Sequence, residues 1–333
     1  MRFSLRLNND HPVSTYVEIA QIAEEAGFDQ FWVSDDLFLR SAPVILAAVA
    51  LATHRIEIGT CILNPYTINP AEIAMIAATL DELSGGRFNL GLSSGAAGFL
   101  QWVGINPHKP RTAVVEAVNV INRLLSCQNA PCDGDTLKWG EEAYLRFTPQ
   151  RRVPIYIGAM SPNMLRTIGM IADGGLPLLF PPEHYENIIP YIVDGIKNAE
   201  RDLDDIDVAA CIWCSVSHDQ EAAVDALREK IAYYGHAMSP LILNQLELVK
   251  DDFSEIERAM MIERDVEKAK SLVTAKMLRI GVTGTPDDLI VRLEKLVEMG
   301  VTHLSFGPPL GPDLAEAVRL IGKEVIPHFR ENS

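Results

Sequence analysis

At 333 residues, with 48% apolar side chains and a formal charge of −16, the chain is long enough for one large α/β unit or two modest domains. That acidity excludes nucleic acid as a partner, because phosphate binding needs a concentrated basic face, and any anionic cofactor would have to be caught locally by backbone N–H groups and a few cations. No uncharged apolar run reaches the roughly 18 residues of a membrane span, and residues 1–30 lack a basic stretch followed by an apolar one, so a soluble cytoplasmic protein with no membrane partner is expected. Five cysteines, an odd number, point to reduced thiols.

From the N-terminus, "RFSLRL" (2–7) reads as a first strand running into Asn8, Asn9, Asp10 and His11. A helix follows in "VSTYVEIAQIAEEAGF", with Val13, Val17, Ala20 and Ala23 on one face and Gly27 closing it. "QFWVSD" (30–35) is a second strand that leaves Ser34, Asp35 and Asp36 at its end. "IEIGTCIL" (56–63) is a third, leading through two Asn-Pro steps into the helix "AEIAMIAATLDELSGG", which stops at Gly85-Gly86. "FNLGLSSG" (88–95), "VPIYIGA" (153–159), "GGLPLLF" (174–180), "IDVAACIWCSV" (206–216) and "HLSFGPP" (303–309) complete eight.

These strands are too uniformly apolar for a one-sided antiparallel sheet, and they alternate with helices. The pattern predicts a (β/α)8 TIM barrel, taken as one domain over 1–333. The intervals 96–152, with a helix near 111–126, and 236–283 are too long for turns. As insertions after strands 4 and 7 they should roof a pocket at the C-terminal face of the barrel.

In such a barrel the strand C-termini carry the chemistry. Gly158-Ala159-Met160-Ser161-Pro162 ends a strand and opens a helix. Ser161 suits the N-cap and Pro162 the first helical position, so the N–H groups there could receive a phosphate or simply be capped by Ser161. Asp35 and Asp36 could cap the next helix, sit in solvent, or do acid–base work if burial raises a pKa toward neutrality. Cys211 and Cys214 form a C-x-x-C, but positions three apart on a strand face opposite ways. That pair reads as core rather than as a redox or zinc site, and no metal is expected.

With these elements in place the chain resembles the bacterial-luciferase-like barrel proteins, and within them the coenzyme F420-dependent methylenetetrahydromethanopterin reductases of methanogenic archaea. The resemblance rests on "EEAGFDQFWVSDD", "NPYTINPAEIAMIAATLDELSGGRFNLGL", "PIYIGAMSPNMLRTIGMIADG", "DIDVAACIWCSV" and "VTGTPDDLIVRLEKLVEMGVTHLSFGPPLGPD". It implies a bulge at the end of the third strand, with a non-prolyl cis peptide at Cys61–Ile62 supporting the back of a deazaflavin ring and Asn64 beside it. It further implies that the cofactor phosphate and tail lie between the strand-4 exit (Ser93, Ser94, Gly95, Ala96) and Gly158, Ala159, Met160, Ser161 and Pro162. Lys109 and Arg111 are then candidate cations for the tail.

Three positions depart from the reductases, which carry a carboxylate where Arg6 stands, Ser/Thr-Asp-His where this chain has Ser34-Asp35-Asp36, and an acidic residue where it has Ala96. Acid–base work is accordingly assigned to Asp36, Asp35 or Asp10, and substrate contacts to Arg6, Asn8 and His11. Arg6 and Asp36, on neighbouring strands about 4.8 Å apart, are expected to pair, which would lower the Asp36 pKa. The implied function is hydride transfer between F420 and a small-molecule substrate, with a tetrahydropterin as the nearest precedent. The alternatives are an FMN-dependent monooxygenase and a (deaza)flavin-binding protein without catalysis. The expected assembly is a homodimer or homotetramer.

Overall fold

Each of the eight apolar runs contains a strand in the computed structural model, which describes residues 1–238 and 240–331. In chain order they are β1 (Arg2–Leu7), β2 (Gln30–Val33), β3 (Glu57–Thr60), β4 (Phe88–Leu92), β5 (Ile155–Ala159), β6 (Gly174–Pro177), β7 (Asp207–Val216) and β8 (His303–Leu310). Every neighbouring pair is parallel, and β8 returns to β1 in the register His303 to Arg2, so the sheet closes into a (β/α)8 barrel. Closure buries both faces of each strand, one against helices and one in the barrel interior. That is why the runs read as continuously apolar.

Several strands stop short of their apolar runs. Ser34–Asp36, Cys61–Ile62 and Ser93–Gly95 have left the ladder and turn over the C-terminal mouth. The helix Val13–Glu25 buries Tyr16, Ile19, Ala20, Ile22 and Ala23, with Val13 and Val17 only at the margin of the stripe. The buried face is rotated from the expected one because the Tyr16 ring turns inward, where its hydroxyl donates to the Asn8 carbonyl at 2.5 Å. The helix Pro70–Ser84 ends as expected, at Gly85 in the left-handed conformation.

The main core lies between barrel and helices, around residues such as Ile45, Val49, Ile73, Val118, Ile121, Leu165 and Ile192. Each such side chain stabilises the fold by about 1.5–3 kcal/mol relative to exposure. The barrel interior is different. Its middle layer holds Trp32, Tyr156, Leu176, Ala209 and Cys211, and Trp32 fits only because Gly59 is bare: a Cβ there would lie 2.3 Å from the indole. Below it, at the strand N-termini, is a polar layer. Arg2 donates to Asp207 at 2.8 Å and to Glu57 at 2.9 Å, Tyr156 donates to Asp207 at 2.8 Å, and His303 Nδ1 lies 2.9 Å from the same carboxylate.

The insertion after β4 contains the helices Ala97–Trp102 and Pro110–Leu125, and an antiparallel hairpin of Cys132–Asp133 with Lys138–Trp139 that the sequence did not announce. The region after β7 gathers short helices around a second core that includes Trp213, Leu227, Ile231, Phe253 and Ile256. An added strand, Val282–Gly284, pairs in parallel with the end of β7. Among the described residues, no helix is long and apolar enough to cross a membrane.

Candidate active site

The strand C-termini enclose a cavity of about 400 Å³. Arg6 of β1 lines it, with Asp35, Asp36 and Leu37 after β2, Cys61, Ile62 and Asn64 after β3, and Ser93, Ser94, Gly95 and Ala96 after β4. Gly158, Ala159, Met160 and Ser161 close the β5 side, and Leu176, Leu178 and Cys211 form the far wall. Phe99, Leu100 and Met164 complete the apolar surface. The first insertion therefore roofs the cavity as expected. The second does not: none of its described residues lines the cavity, because its helices pack beside the barrel on Phe180 and Trp213.

The two Asn-Pro steps after β3 each have a structural task. Asn64 Oδ1 accepts the N–H groups of Tyr66 at 3.2 Å and Thr67 at 3.0 Å, an Asx turn that holds the loop. Asn69 Oδ1 accepts the Ala71 N–H at 2.9 Å and caps the helix that Pro70 opens. Tyr66 ties the loop to the first insertion by donating to the His108 carbonyl at 2.7 Å. The Cys61–Ile62 peptide is cis, as the resemblance implied. Gly95 adopts φ +71° against Asn64, and Gly158 backs onto Ile62 so closely that a Cβ would lie 3.1 Å from Ile62 Cγ2. The Gly158 carbonyl accepts the Ser93 hydroxyl at 2.7 Å, joining the two rims. Ser161 caps its own helix by accepting the Met164 N–H at 3.4 Å, and Pro162 lies outside the lining.

The charged groups differ from expectation. Arg6 does not pair with Asp36. Its Nε donates to Ser305 Oγ at 3.1 Å and its Nη2 to the Ile212 carbonyl at 2.8 Å, which turn it toward β7 and β8. Asp36 has left the β2 ladder and is held by Asn9, which donates to its carbonyl at 3.1 Å and accepts its N–H at 3.3 Å. Its pKa is raised rather than lowered, because burial outweighs the Ser34 hydroxyl and the Lys230 ammonium, and Asp10 adds repulsion. Burial also raises Asp35, against the Ala42 N–H that Oδ1 accepts at 2.8 Å at the start of the helix Ala42–Ala52.

The remaining expected residues fall outside the cavity. Asp10 and His11 form a half-exposed pair at 3.6 Å, and Asn8 supplies its carbonyl to Tyr16. Lys109 pairs with Asp135 at 2.6 Å, and Arg111 Nε donates to Thr167 at 2.9 Å, so both candidate tail cations are engaged elsewhere. Cys211 faces the cavity while Cys214 packs in the outer core, as the strand reading required. Burial pushes the Cys61 thiol up to about 12 and raises Cys211 too, so both are neutral walls.

The family model described as luciferase-like monooxygenase matches residues 1–303. The chain belongs to this luciferase-like family. This luciferase-like protein is 32% identical to the 5,10-methylenetetrahydromethanopterin reductase of Methanopyrus kandleri, over 99% of each chain. It is 31% identical to an F420-dependent glucose-6-phosphate dehydrogenase of Microbacterium testaceum, over 95% of this chain and 93% of that one. The solved coenzyme F420-dependent tetrahydromethanopterin reductase from Methanopyrus kandleri superposes with a TM-score of 0.92 at 32% identity, over 98% of this chain and 99% of that one.

Besides the apolar lining residues Leu37, Phe99, Leu100 and Met164, two further groups escaped the sequence reading of the luciferase-like chain. Leu176 and Cys211 sit on strands buried on both faces, where no alternation marks the inward side, and Leu178 follows just past the end of β6. Lys230, from the helix Gln220–Tyr234, holds its ammonium 4.1 Å from the Tyr234 ring centroid and 5.4 Å from that of Trp213. Burial lowers its pKa to about 8, although Asp10 and Asp36 pull it up. Nothing local in sequence brings Lys230 to a carboxylate two hundred residues away.

Proposed function

We propose that this luciferase-like protein transfers a hydride between coenzyme F420 and a small organic substrate in the cavity at the barrel mouth. The observation that carries the reading is the full-length likeness to an F420-dependent reductase, at 32% identity and a TM-score of 0.92. The residues present fit a flat deazaflavin. Bare backbone at Gly158 packs on Ile62, and a neutral wall of Cys61, Leu176, Leu178 and Cys211 faces it. The segment Gly158–Ser161 and the strand-4 exit would hold the phosphate and tail.

When bound, the deazaflavin supplies the hydride chemistry. The protein supplies the rest. Phe99, Leu100 and Met164 exclude water, the Ser93–Gly158 hydrogen bond fixes the cleft width, and Asp36, its pKa raised by burial, stands at the mouth as the candidate proton-handling group, with Oδ2 accepting the Ser34 hydroxyl at 3.4 Å. The five cysteines, all free, suit a reducing cytoplasm. A tetrahydropterin is the nearest substrate precedent, but another relative's name gives glucose 6-phosphate, so the substrate varies across F420-dependent relatives.

Mixing the protein with F420 or FMN, followed by gel filtration and an absorbance spectrum, tests the cofactor. Retention of F420 with at least about tenfold preference over FMN is expected. A tenfold preference for FMN would replace this reading by the monooxygenase one. Binding of F420 without turnover of any hydride donor or acceptor would leave a binding protein.

A further inference from the structure

Arg6 is the cation of the cavity lining, and it has no counter-ion among the described residues. The residue is only 7% exposed. It is fixed from behind by a chain of buried groups. Nε donates to Ser305 Oγ at 3.1 Å, Ser305 lies 2.8 Å from Ser4 Oγ, and Ser4 lies 2.9 Å from His303 Nε2, whose other nitrogen meets Asp207. Nη2 donates to the Ile212 carbonyl. Gly307 makes the room: a Cβ there would lie 2.4 Å from Nη2. Both N–H groups of Nη1, and the second of Nη2, have no protein acceptor among the described residues.

A guanidinium stays charged at any working pH, and a buried charge without a partner is unfavourable. Asp36 does not serve: its carboxylate takes the Ser34 hydroxyl at 3.4 Å and forms no ion pair with Arg6. Asp35 is engaged at Ala42. The fold thus presents a rigid, forked donor to the space the substrate must enter, and a fork of this kind matches a carboxylate.

We propose that Arg6 binds a carboxylate of the substrate, so that the hydride-exchanging partner is a small organic acid rather than a cationic iminium. The proposal rests on the hydride-transfer reading above and narrows it. An iminium carbon beside Arg6 would meet like charge in a site of low dielectric, whereas a carboxylate completes the pair that the protein leaves open.

The test uses the F420-loaded protein and two matched probe pairs, benzoate against benzamide and isobutyrate against isobutyramide, titrated by calorimetry. Each acid should bind at least about tenfold more tightly than its amide, the preference should fall to within about twofold in Arg6→Gln, and Arg6→Lys should keep part of it. Equal binding of acid and amide, or no binding of either, with F420 still bound, would overturn the proposal and leave the cofactor reading standing. An Arg6→Gln variant that loses F420 affinity while keeping the acid preference would assign Arg6 to the cofactor instead. Should F420 itself fail to bind the native protein, the cofactor reading falls, and the same acid preference is then expected on the unloaded protein. If Arg6→Gln does not fold, Ser305→Ala, which frees Nε, should cut the acid preference several-fold, and an unchanged preference counts against the proposal.

Discussion

At the strand N-termini of the barrel, Arg2 reaches both Asp207 and Glu57, and Asp207 also receives Tyr156 and His303. At the strand C-termini, Arg6 makes only neutral hydrogen bonds, and Lys230 rests on aromatic faces with no ion pair among the described residues. The same closed sheet carries both ends. Where partners surround a charge on all sides it fastens strands together. Where one side is left open to a cavity, the charge is held in place at a cost, and that cost is offset only when something binds.

The largest effect expected from this contrast lies at the paired end. Burial alone would raise the Asp207 pKa, but His303, Arg2 and Tyr156 outweigh it and hold the carboxyl down to about 2. Because the folded pKa lies below the unfolded value of about 3.9, its contribution of about 2–3 kcal/mol is present above about pH 4 and is lost as pH falls toward about 2. Asp207→Ala should cost about 3 kcal/mol at neutral pH, since it strands Arg2 and His303, and should leave F420 affinity within about twofold. Denaturant unfolding with a parallel F420 titration checks both. An F420 affinity that fell along with stability would show that the two ends are not separable.

At the open end the sign reverses. Lys230 has a folded pKa of about 8, below its unfolded value of about 10.4, so keeping it charged at neutral pH costs stability, and the cost fades as pH rises between those two values. Lys230→Met is therefore expected to stabilise the protein by about 1–2 kcal/mol at about pH 7, with a smaller gain at about pH 9.5. Unfolding midpoints at the two pH values decide it, and a destabilised variant would mean that the aromatic seat outweighs desolvation.

A smaller effect sharpens the same picture. Asp10 and Asp36 both support the Lys230 charge, Asp10 the more strongly. Asp10→Asn and Asp36→Asn should each lower the Lys230 titration midpoint by about half a pKa unit, or about 0.7 kcal/mol, with Asp10→Asn the larger. The pH dependence of tryptophan fluorescence reports it, because Trp213 lies under the ammonium. No movement in either variant would remove the charge coupling across the mouth.

The strands, their parallel closure and most strand-end lining residues were legible in sequence, because apolar runs, glycine stops and Asn-Pro steps are local signals. Arg6 with Asp36 was misread for a physical reason: adjacent strands fix backbone spacing, but Arg6 points along the interior toward Ser305 while Asp36 leaves its strand altogether. Lys109 and Arg111 looked free in sequence and are tied to Asp135 and Thr167 in the fold. Those outcomes depend on tertiary partners, and only the assembled barrel supplies them.

The central claim, that F420 sits in the cavity lined by Ile62 and the β5 exit, is tested most directly by titrating F420 into native protein and into Gly158→Val, in which the added side chain must crowd Ile62 Cγ2, already 3.1 Å from the position of a Cβ. With the unfolding midpoint confirmed as native-like, the variant should bind F420 at least about tenfold more weakly; an unchanged affinity in a folded variant would place the cofactor elsewhere and contradict the account.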